Sequence, residues 1–348
     1  MKKTDDKSKS TILHEKVEDL LKKVINSKWL IISFAIIVPI VIIVIGFIYF
    51  RSQVDLVRER KNTEFSAISK LKIDQLVQWQ KERNGDVMSV SRSPLLTSAV
   101  ERFLVNKNNN KLKETISKHL SIPQKEFGYE DIHLTTIKGE IIVSAGLQTD
   151  HFDSTTYKKI VEAVTSQSIT WTNLYYSNDD NKLNFDIIAP IVNEKDTTIA
   201  VLVFHIDPNE YLYPLIQSLP TPSRTSETVL VRKEGDSVVV LNELRHRQHT
   251  ALRLKIPLTA KELPAVQSVL GYTGLWDGQD YRGVDVVAFI QKVPVLDWFM
   301  VTKIDKGELY ADLYREGKFI IIRFSLILLL VIAGLAFIYS YRQRNIYK

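Results

Sequence analysis

An apolar segment at residues 29–50, WLIISFAIIVPIVIIVIGFIYF, contains no charged residue and constrains the fold more than any other part of the chain. A helix rises about 1.5 Å per residue, so this segment spans roughly 33 Å, close to the hydrocarbon thickness of a bilayer. Trp29, Tyr49 and Phe50 place aromatic rings near the two interfaces. The segment is longer than the apolar part of a cleaved signal peptide. The sequence therefore predicts a transmembrane helix over 29–50.

A second apolar segment lies near the C-terminus, at residues 319–341. It is interrupted by one charged residue, Arg323, which stands about one turn inside the edge of the segment. A long basic side chain in that position can extend to the interface at modest cost. The sequence therefore predicts a second transmembrane helix over 319–341.

Basic residues flank both predicted spans and orient them. Lysines are frequent in the leader at 1–28, and basic residues recur in the tail at 342–348. Because basic flanks stay in the cytoplasm, both termini are predicted to be cytoplasmic and residues 51–318 extracytoplasmic. Much of the formal net charge of +6 comes from these flanks, so no nucleic-acid partner is predicted.

The chain stays polar and helix-prone after the first span. Apolar residues recur there at helical spacing: Phe65, Ile68, Leu71, Leu76 and Trp79. We predict stalk helices over 51–105, with a break at Pro94, where a proline ends or kinks a helix. A helix of this length attached to a membrane span can act as a strut or as a lever for a signal.

Beyond the stalk the apolar pattern changes to a period of two residues, which is typical of strands. Hairpins are predicted at 131–144 and 182–206. A helix at 154–166 and an aromatic segment at 169–176 lie between them. These elements form a first unit, assigned to residues 106–218.

The same order recurs after the linker LPTPS, with a hairpin at 227–241, a helix at 259–270 and a hairpin at 284–304. This second unit is assigned to residues 219–318. Each unit is predicted to be a small antiparallel sheet with a helix on one face. The predicted fold class is α+β, with two transmembrane helices bracketing a long stalk helix and two tandem sheet units.

This layout and three stretches of sequence resemble a known family. The stretches are LKIDQLVQWQKERNGDVMSVSRSPLL at 71–96, PTPSRTSETVLVRKEGDSVVVLNELRHR at 220–247 and GQDYRGVDVVAFIQKVPVLDWFMVTKID at 278–305. They resemble the double-Cache, or tandem PAS-like, extracellular sensor region of bacterial transmembrane sensor histidine kinases and related receptors. The resemblance covers residues 51–318.

The resemblance implies a ligand-sensing region in the bacterial inner membrane. It implies a homodimer formed through the stalk helices, and a small-molecule ligand held in the membrane-distal unit at 106–218. Relatives continue past the second span into HAMP, PAS, kinase, cyclase or chemotaxis modules. Seven residues follow Tyr341. We therefore expect either a fragment or a chain that signals through a cytoplasmic kinase or other output module, in cis or in trans.

Enzyme signatures are absent from the sequence. It contains no P-loop, GxSxG or HExxH motif, and its lack of cysteine excludes a disulfide framework and a thiolate metal site. His246 and His249 have the i, i+3 spacing of a metal pair, but Arg245 and Arg247 beside them repel a cation. We predict neither an enzyme nor a metal or other cofactor.

The candidate ligand-binding residues lie on the aromatic segment and the strand after it: Trp171, Tyr175, Tyr176 and Asp186. Aromatic rings can line a small pocket, and Asp186 can accept a hydrogen bond from an amine or hydroxyl. Amino-acid sensors of the resembled family carry an Arg-x-Trp-Tyr run where this chain has ITWT, so amino-acid specificity is not implied. The alternative interpretation is aromatic core packing, with Asp186 at a sheet edge.

A second choice of ligand-binding residues lies in the second unit: Arg224, Trp276, Asp280 and Arg282. Either arginine can bind a carboxylate through two parallel hydrogen bonds. Either can instead lock the interface between the two units.

The leading functional hypothesis is the input region of a sensor histidine kinase, which passes ligand-induced helix shifts across the membrane. One alternative is the input region of a diguanylate cyclase or a chemoreceptor. Another is a membrane-anchored binding protein without signalling output. An anchored hydrolase is disfavoured, because the sequence shows no nucleophile and base set.

Overall fold

The structure is a computed structural model that describes residues 28–146, 151–177, 182–218, 220–294 and 296–346. Its helices, in chain order, are α1 (Lys28–Ser91), α2 (Pro94–Val105), α3 (Asn110–Glu126), α4 (Ser154–Ser166), α5 (Leu212–Gln217), α6 (Pro264–Val269), α7 (Lys306–Leu309) and α8 (Ala311–Ile346). Its strands, in chain order, are β1 (Asp131–Thr135), β2 (Ile141–Gly146), β3 (Thr170–Trp171), β4 (Tyr175–Tyr176), β5 (Leu183–Val192), β6 (Thr198–Ile206), β7 (Glu227–Glu234), β8 (Ser237–Val240), β9 (Lys255–Pro257), β10 (Gly274–Gln279), β11 (Asp285–Val293) and β12 (Trp298–Asp305). The predicted leader, apart from residue 28, and the last two residues of the predicted tail lie outside the described residues.

The chain divides into two compact parts. One is Asn62–Lys306, and the other combines Met1–Lys61 with Gly307–Lys348. Two helical stretches, Ile36–Ser91 and Ala311–Phe337, are long and apolar enough to cross a membrane, and no residue in the most apolar window of either is buried. The apolar helices that the sequence predicted at both ends of the chain are therefore present.

The two apolar helices contact each other at glycines. A Cβ atom placed on Gly46 would lie 3.8 Å from the ring of Phe324, and one placed on Gly317 would lie 3.7 Å from the ring of Phe50. Small residues let helices approach closely in lipid, where packing rather than the hydrophobic effect holds them together. The glycines thus supply a contact surface between the two candidate spans.

Helix α1 continues from the first apolar segment through the Asn-Gly pair at 84–85 and ends at Ser91. Helix α2 begins at Pro94, and the Oγ atom of Ser93 caps it by accepting a hydrogen bond from the backbone N–H of Leu96. Proline suits the first turn of a helix, because its missing N–H would have no helical partner there. The predicted break before α2 is therefore present.

Helix α3 lies between the predicted stalk helices and the predicted first hairpin, and it was not expected. Asn109 caps it by accepting a hydrogen bond from the N–H of Leu112, and Ile116 and Leu120 are fully buried on its inner face. The helix is polar apart from that narrow apolar stripe, which is why its sequence resembles a loop.

Within the described ranges each sheet has six strands, and every pairing is antiparallel. The first sheet has the order β2-β1-β6-β5-β3, with β4 also paired to β5, and the second has the order β10-β11-β12-β7-β8-β9. If β4 and β9 are set aside and the remaining strands of each unit are numbered one to five, both sheets have the order 2-1-5-4-3. The tandem repeat predicted from the sequence is confirmed.

A hydrophobic core joins α1, α2 and α3 to the first sheet and continues into the second. Trp79 of α1 stacks on Phe185 of β5 with ring centroids 6.3 Å apart, and Phe185 lies 5.7 Å from the fully buried Trp298 of β12. On the face of the first sheet away from α1, Ile160 of α4 packs against the strands. On the corresponding face of the second sheet, Val266 of α6 does so. Each sheet therefore has apolar side chains packed against both of its faces.

The helix predicted at 259–270 is shorter in the structure, where α6 begins only at Pro264. Leu263 has an extended backbone, with φ −82° and ψ 128°. The ring of a proline disfavours helical backbone in the residue before it, so the helix cannot extend towards its predicted start.

Lys72 is the charged residue of α1 that lies deepest in the core, with 3% of its surface exposed. Its Nζ donates hydrogen bonds to the backbone oxygen of Ile216 and to Thr228 Oγ1. Burial lowers the pKa of Lys72 to about 8 from an ordinary value of 10.5. The folded protein thus releases this proton at a lower pH than the unfolded chain.

We predict that Lys72→Met changes the pH dependence of stability. Between pH 8 and 10.5 the unfolded chain retains a proton that the folded protein has lost, so Lys72 makes stability rise with pH across that window. The free energy of unfolding of Lys72→Met relative to wild type should therefore fall by about 3 kcal/mol from pH 8 to 10.5. Urea unfolding at several pH values measures this difference. Lys70→Met, at an exposed position, is the control; an equal slope in both variants would contradict the prediction.

Candidate ligand-binding site

Three adjacent strands of the first sheet place charged side chains in a row on the face covered by α4. Asp131 of β1 pairs with His205 of β6, and His205 pairs with Asp186 of β5. His133 stands two residues after Asp131, so strand alternation brings it to the same face. All four residues are buried, with 6% or less of their surface exposed. Buried groups of this kind need compensating partners.

The two histidines converge on Asp131. The Nε2 atoms of His133 and His205 lie 2.8 Å and 3.7 Å, respectively, from Asp131 Oδ1. The opposite nitrogen of each ring is already engaged. His133 Nδ1 lies 2.8 Å from Ser144 Oγ, and His205 Nδ1 lies 2.5 Å from Asp186 Oδ1. Both rings are thus held with Nε2 directed at one carboxylate.

Two polar atoms at the centre of this group lack a hydrogen bond. Among the residues that the structure describes, neither His133 Nε2 nor Asp131 Oδ1 has a hydrogen-bond partner, although they are 2.8 Å apart. Short separation alone does not make a hydrogen bond, because direction also decides. Asp131, His133 and His205 each offer one possible metal-ligand atom, and these atoms lie within 4.8 Å of one another.

The carboxylate of Asp186 is fully engaged. Its Oδ2 accepts hydrogen bonds from Thr156 Oγ1 at 2.6 Å and from the Tyr175 hydroxyl at 2.7 Å. Its Oδ1 faces His205, and its backbone N–H donates to Thr172 Oγ1 at 2.8 Å. Asp186 therefore orients its neighbours and has both oxygens occupied.

The surrounding carboxylates decide the charge on His205. Burial is the largest effect and lowers the pKa of His205, but the charge and hydrogen bond of Asp186, with the charges of Asp131 and Glu130, raise it overall to about 9. The neighbouring carboxylates therefore favour the protonated form of His205. Burial, followed by the charge of Asp186, raises the pKa of Tyr175, so its hydroxyl remains a neutral donor.

An aromatic ring and a glycine close the group on two sides. The ring of Phe152 lies 5.5 Å from that of His133, nearly perpendicular to it. Gly146 has a φ of +103°, and an added Cβ would lie 2.6 Å from the backbone oxygen of Glu130 and 2.9 Å from Asp131 Cβ. Only glycine allows the chain to pass this close to Asp131.

Four ligand-binding residues were predicted from the aromatic segment and the strand after it. Two of them, Tyr175 and Asp186, lie in this network, where the hydroxyl of Tyr175 donates a hydrogen bond to Asp186. The alternative interpretation placed Asp186 at a sheet edge, which is wrong. Strand β5 is paired with β6 on one side and with β3 and β4 on the other, and Asp186 is fully buried.

Trp171 lies on the opposite face of the first sheet. Its ring contacts Trp79 and Phe185, and its Nε1 donates a hydrogen bond to Asn84 Oδ1 of α1 at 2.9 Å. It lines a cavity of about 680 Å³ together with residues of α1. Trp171 is therefore separated from Asp186 by the sheet.

Tyr176 is directed towards the second unit. Its hydroxyl donates a hydrogen bond to the backbone oxygen of Ala251 at 3.2 Å, and the guanidinium of Arg253 lies 4.8 Å from its ring centre. Tyr176 therefore joins the two units, whereas its neighbour Tyr175 faces the polar network.

In the second unit, Asp280 and Arg282 are brought together in an ion network. Arg282 Nε donates to Asp280 Oδ2 at 2.7 Å, and its Nη2 lies 2.5 Å from Asp305 Oδ1. Lys303 Nζ lies 2.5 Å from Asp280 Oδ2 and 2.9 Å from Glu227 Oε2. The partners of Arg282 both lie in the second unit, so this arginine stabilises that unit internally.

The other two second-choice residues also belong to the second unit. Trp276 of β10 packs against Tyr272, with ring centroids 5.0 Å apart. Arg224 is exposed, three residues before β7 begins. Of the four second-choice residues, the structure thus joins Asp280 and Arg282 directly.

Asp131, His133 and His205 were not among the predicted site residues. A DxH pair on a predicted strand was a usable signal, because alternation places both side chains on one face. The contribution of His205 depends on the pairing of β6 with β1, which the sequence does not specify.

The sequence identifies the family of this fold. Residues 51–313 match the Cache domain family. The match covers more than half of the chain, which therefore belongs to that family and contains a Cache ligand-sensing domain of bacterial receptors. The double-Cache resemblance is thereby confirmed. No curated protein sequence matches the chain significantly.

Three solved structures similar to this chain are ligand-binding domains of chemoreceptors. Tlp3 of Campylobacter jejuni, in complex with 4-methylisoleucine, matches with a TM-score of 0.52 at 12% identity, over 73% of this chain and 94% of that chain. PctB of Pseudomonas aeruginosa PAO1, in complex with L-Arg, matches with a TM-score of 0.51 at 16% identity, over 73% and 98%. CtaA of Pseudomonas fluorescens, in complex with L-isoleucine, matches with a TM-score of 0.50 at 11% identity, over 74% and 98%. These similarities establish a shared fold.

We predict that Gly146→Ala destabilises the protein more than Gly274→Ala. The two glycines have nearly equal φ values, +103° and +101°, so each variant places an alanine at a φ that L residues rarely adopt. Among the described residues, chain neighbours aside, no heavy atom lies within 4 Å of a Cβ on Gly274, whereas one on Gly146 collides with the chain at Asp131. The clash should lower the free energy of unfolding by about 1–3 kcal/mol more for Gly146→Ala. Urea unfolding measures both losses, and equal losses would show that the close approach is not rigid.

Proposed function

We propose that this chain is the extracytoplasmic sensory input region of a two-pass receptor in the bacterial inner membrane. In this proposal both termini are cytoplasmic and residues 51–318 lie outside. The observation that carries the proposal is a Cache domain flanked by two helices that are long and apolar enough to cross a membrane. The proposed output is a sensor histidine kinase, in cis or in trans, and the region itself binds ligand without catalysing a reaction.

A chemoreceptor output is the second candidate. It is supported by Tlp3, PctB and CtaA, which share the fold and are chemoreceptors. Both candidates use the same input step, in which a ligand favours one arrangement of the sheet and its helices. A diguanylate cyclase output, and an anchored binding protein without output, share the ligand site but differ in the step after binding.

We place the ligand site in the first sheet unit, on the face that carries Tyr175 and Asp186. Supporting this choice, polar and ionisable groups converge there in a largely apolar setting, as ligand sites require. An amino-acid ligand of the kind that Tlp3 binds is disfavoured. Both oxygens of Asp186 already accept protein donors, and the arginine that would hold the carboxylate is absent from ITWT at 169–172.

A chimeric receptor tests this function. Fusing the full chain to the kinase module of a characterised receptor should give a reporter whose output changes with one member of a panel of metabolites and ions. Tyr175→Phe removes one hydrogen bond from the network and should shift the half-maximal concentration about tenfold. Tyr272→Phe removes a hydroxyl that bonds only the backbone oxygen of Leu275 among the described residues, and should leave the response unchanged. An output insensitive to the whole panel would contradict the proposal.

We also propose that the receptor is a homodimer formed through α1. Leu71 supports this, because 56% of its surface is exposed although its apolar neighbours on α1, Ile68, Ile73 and Leu76, are buried. The chain has no cysteine, so Leu71→Cys introduces a single thiol. In membranes it should form a disulfide-linked dimer under mild oxidation. Ile122→Cys, at a position 63% exposed on α3, is the matched control. Equal cross-linking of both variants would indicate random collision and contradict the dimer.

A further inference from the structure

A buried group of two imidazoles and one carboxylate on the first sheet has the composition of a metal site. Asp131 and His133 come from β1 and His205 from β6, and their ligand atoms lie within 4.8 Å of one another. We propose that Asp131, His133 and His205 together bind one divalent first-row transition metal ion, such as Zn²⁺, Co²⁺, Ni²⁺ or Fe²⁺.

The separations of the ligand atoms fit such an ion. Metal–nitrogen and metal–oxygen bonds are about 2.0–2.2 Å long, so two ligands lie about 2.9 Å apart at a right angle and about 3.4 Å apart at the tetrahedral angle. Asp131 Oδ1 lies 2.8 Å from Nε2 of His133 and 3.7 Å from Nε2 of His205. Shifts of a few tenths of an ångström bring both pairs to the required distances.

The hydrogen bonds of these residues point to an unfilled partner. His133 Nε2 and Asp131 Oδ1 have none among the described residues, although both side chains are more than nine-tenths buried. A stable group of protein residues alone would pair such atoms, because leaving a buried polar atom without a partner forfeits its solvation in water. A cation between them satisfies both atoms at once.

The outer nitrogens of the two rings are fixed as metal sites require. Ligating histidines almost always use their second nitrogen in a hydrogen bond that sets the orientation of the ring. His205 Nδ1 is held by the carboxylate of Asp186, and His133 Nδ1 by the hydroxyl of Ser144. Thr156 and Tyr175 fix Asp186 in turn. The second layer of contacts leaves both Nε2 atoms directed inward.

The donor set determines which ions fit. Two imidazoles and one carboxylate suit transition metals, whereas Mg²⁺ and Ca²⁺ prefer oxygen ligands. Three protein ligands leave at least one coordination position for water or for a donor atom of another ligand. The inference goes beyond the proposed function, because the site would bind the ion whether or not binding is coupled to a receptor output.

Titration of the full-length, tag-free chain with ZnCl₂ tests the proposal. The protein is held in detergent, stripped with EDTA and dialysed, and binding is followed by calorimetry. We expect one Zn²⁺ per chain, with no binding of Mg²⁺ at the same concentrations. His133→Gln, His205→Gln and Asp131→Asn should each weaken binding more than a hundredfold. Asp186→Asn changes a hydrogen-bond partner of His205 but none of the three proposed ligands, and it should weaken binding about 10–100-fold.

The control is the double variant His246→Gln/His249→Asn. These exposed histidines have the metal-pair spacing noted in the sequence, and asparagine tolerates the φ of +56° at residue 249. The double variant should bind Zn²⁺ as tightly as wild type. Loss of binding there, wild-type affinity in the three ligand variants, or a wild-type chain that binds no Zn²⁺ would each overturn the proposal.

X-ray absorption at the zinc edge keeps the test decisive if a ligand variant fails to fold, because it uses the wild-type chain. Two imidazoles with oxygen or nitrogen donors in the remaining positions are expected, and a spectrum without imidazole scattering would overturn the site. Failure of the proposed function is distinguishable: it would leave Zn²⁺ binding intact and the chimeric receptor silent.

Discussion

A single helix, α1, packs on one face of both sheets. The arrangement of the compact part Asn62–Lys306 depends on this shared helix. Trp79 stacks on Phe185 in the first sheet. Lys72 and Ser69 precede Trp79 by about two and three helical turns. Lys72 donates a hydrogen bond to Thr228, and Ser69 lies 3.3 Å from Thr302; Thr228 and Thr302 belong to the second sheet. The apolar contacts supply most of the favourable free energy, whereas the polar ones fix which residue of α1 faces which strand.

Coverage on both faces explains why the strands of this protein differ from those of an exposed antiparallel sheet. Strand β1, DIHLT, alternates polar and apolar residues, yet it is buried at all five positions. A polar residue in such a strand cannot be attributed to a solvated face. Removing an ion from water costs several kcal/mol, and good partners must compensate for that loss. Asp186 has them, whereas His133 Nε2 and Asp131 Oδ1 lack a hydrogen bond among the described residues.

Local chemistry explains which elements the sequence predicts well. The predicted helix at 154–166 has the same bounds as α4, because Asp153 caps its first turn and apolar residues repeat at helical spacing. Helix α3 was missed, since its apolar stripe is narrow and the stability of the helix comes from packing. The helix predicted at 259–270 was too long at its start, because the residue before a proline disfavours helical backbone, and the sequence shows that proline at 264.

The candidate site, like the fold, was predicted only in the part that local sequence determines. Tyr175 and Asp186 were predicted together because aromatic and acidic residues near one strand are visible in the sequence, and the structure joins them at 2.7 Å. The convergence of His205 with Asp131 depends on strands that are 63 residues apart in the chain and paired in one register. A shift of one residue in that register would direct His205 to the opposite face, so no local pattern specifies the site.

Strand β5 provides a physical connection between the polar group and α1. Asp186 and Phe185 are consecutive, so they project from opposite faces: one supports His205 and the other packs against Trp79. Proximity of this kind becomes coupling only if a ligand prefers one of two arrangements of the strand. A hundredfold preference supplies about 2.7 kcal/mol, enough to change the populations of two states that differ by a similar free energy. Because the interior is close-packed, a ligand that displaced Asp186 along β5 would also strain the contact of the adjacent Phe185 with Trp79, and that contact is where coupling to α1 would begin.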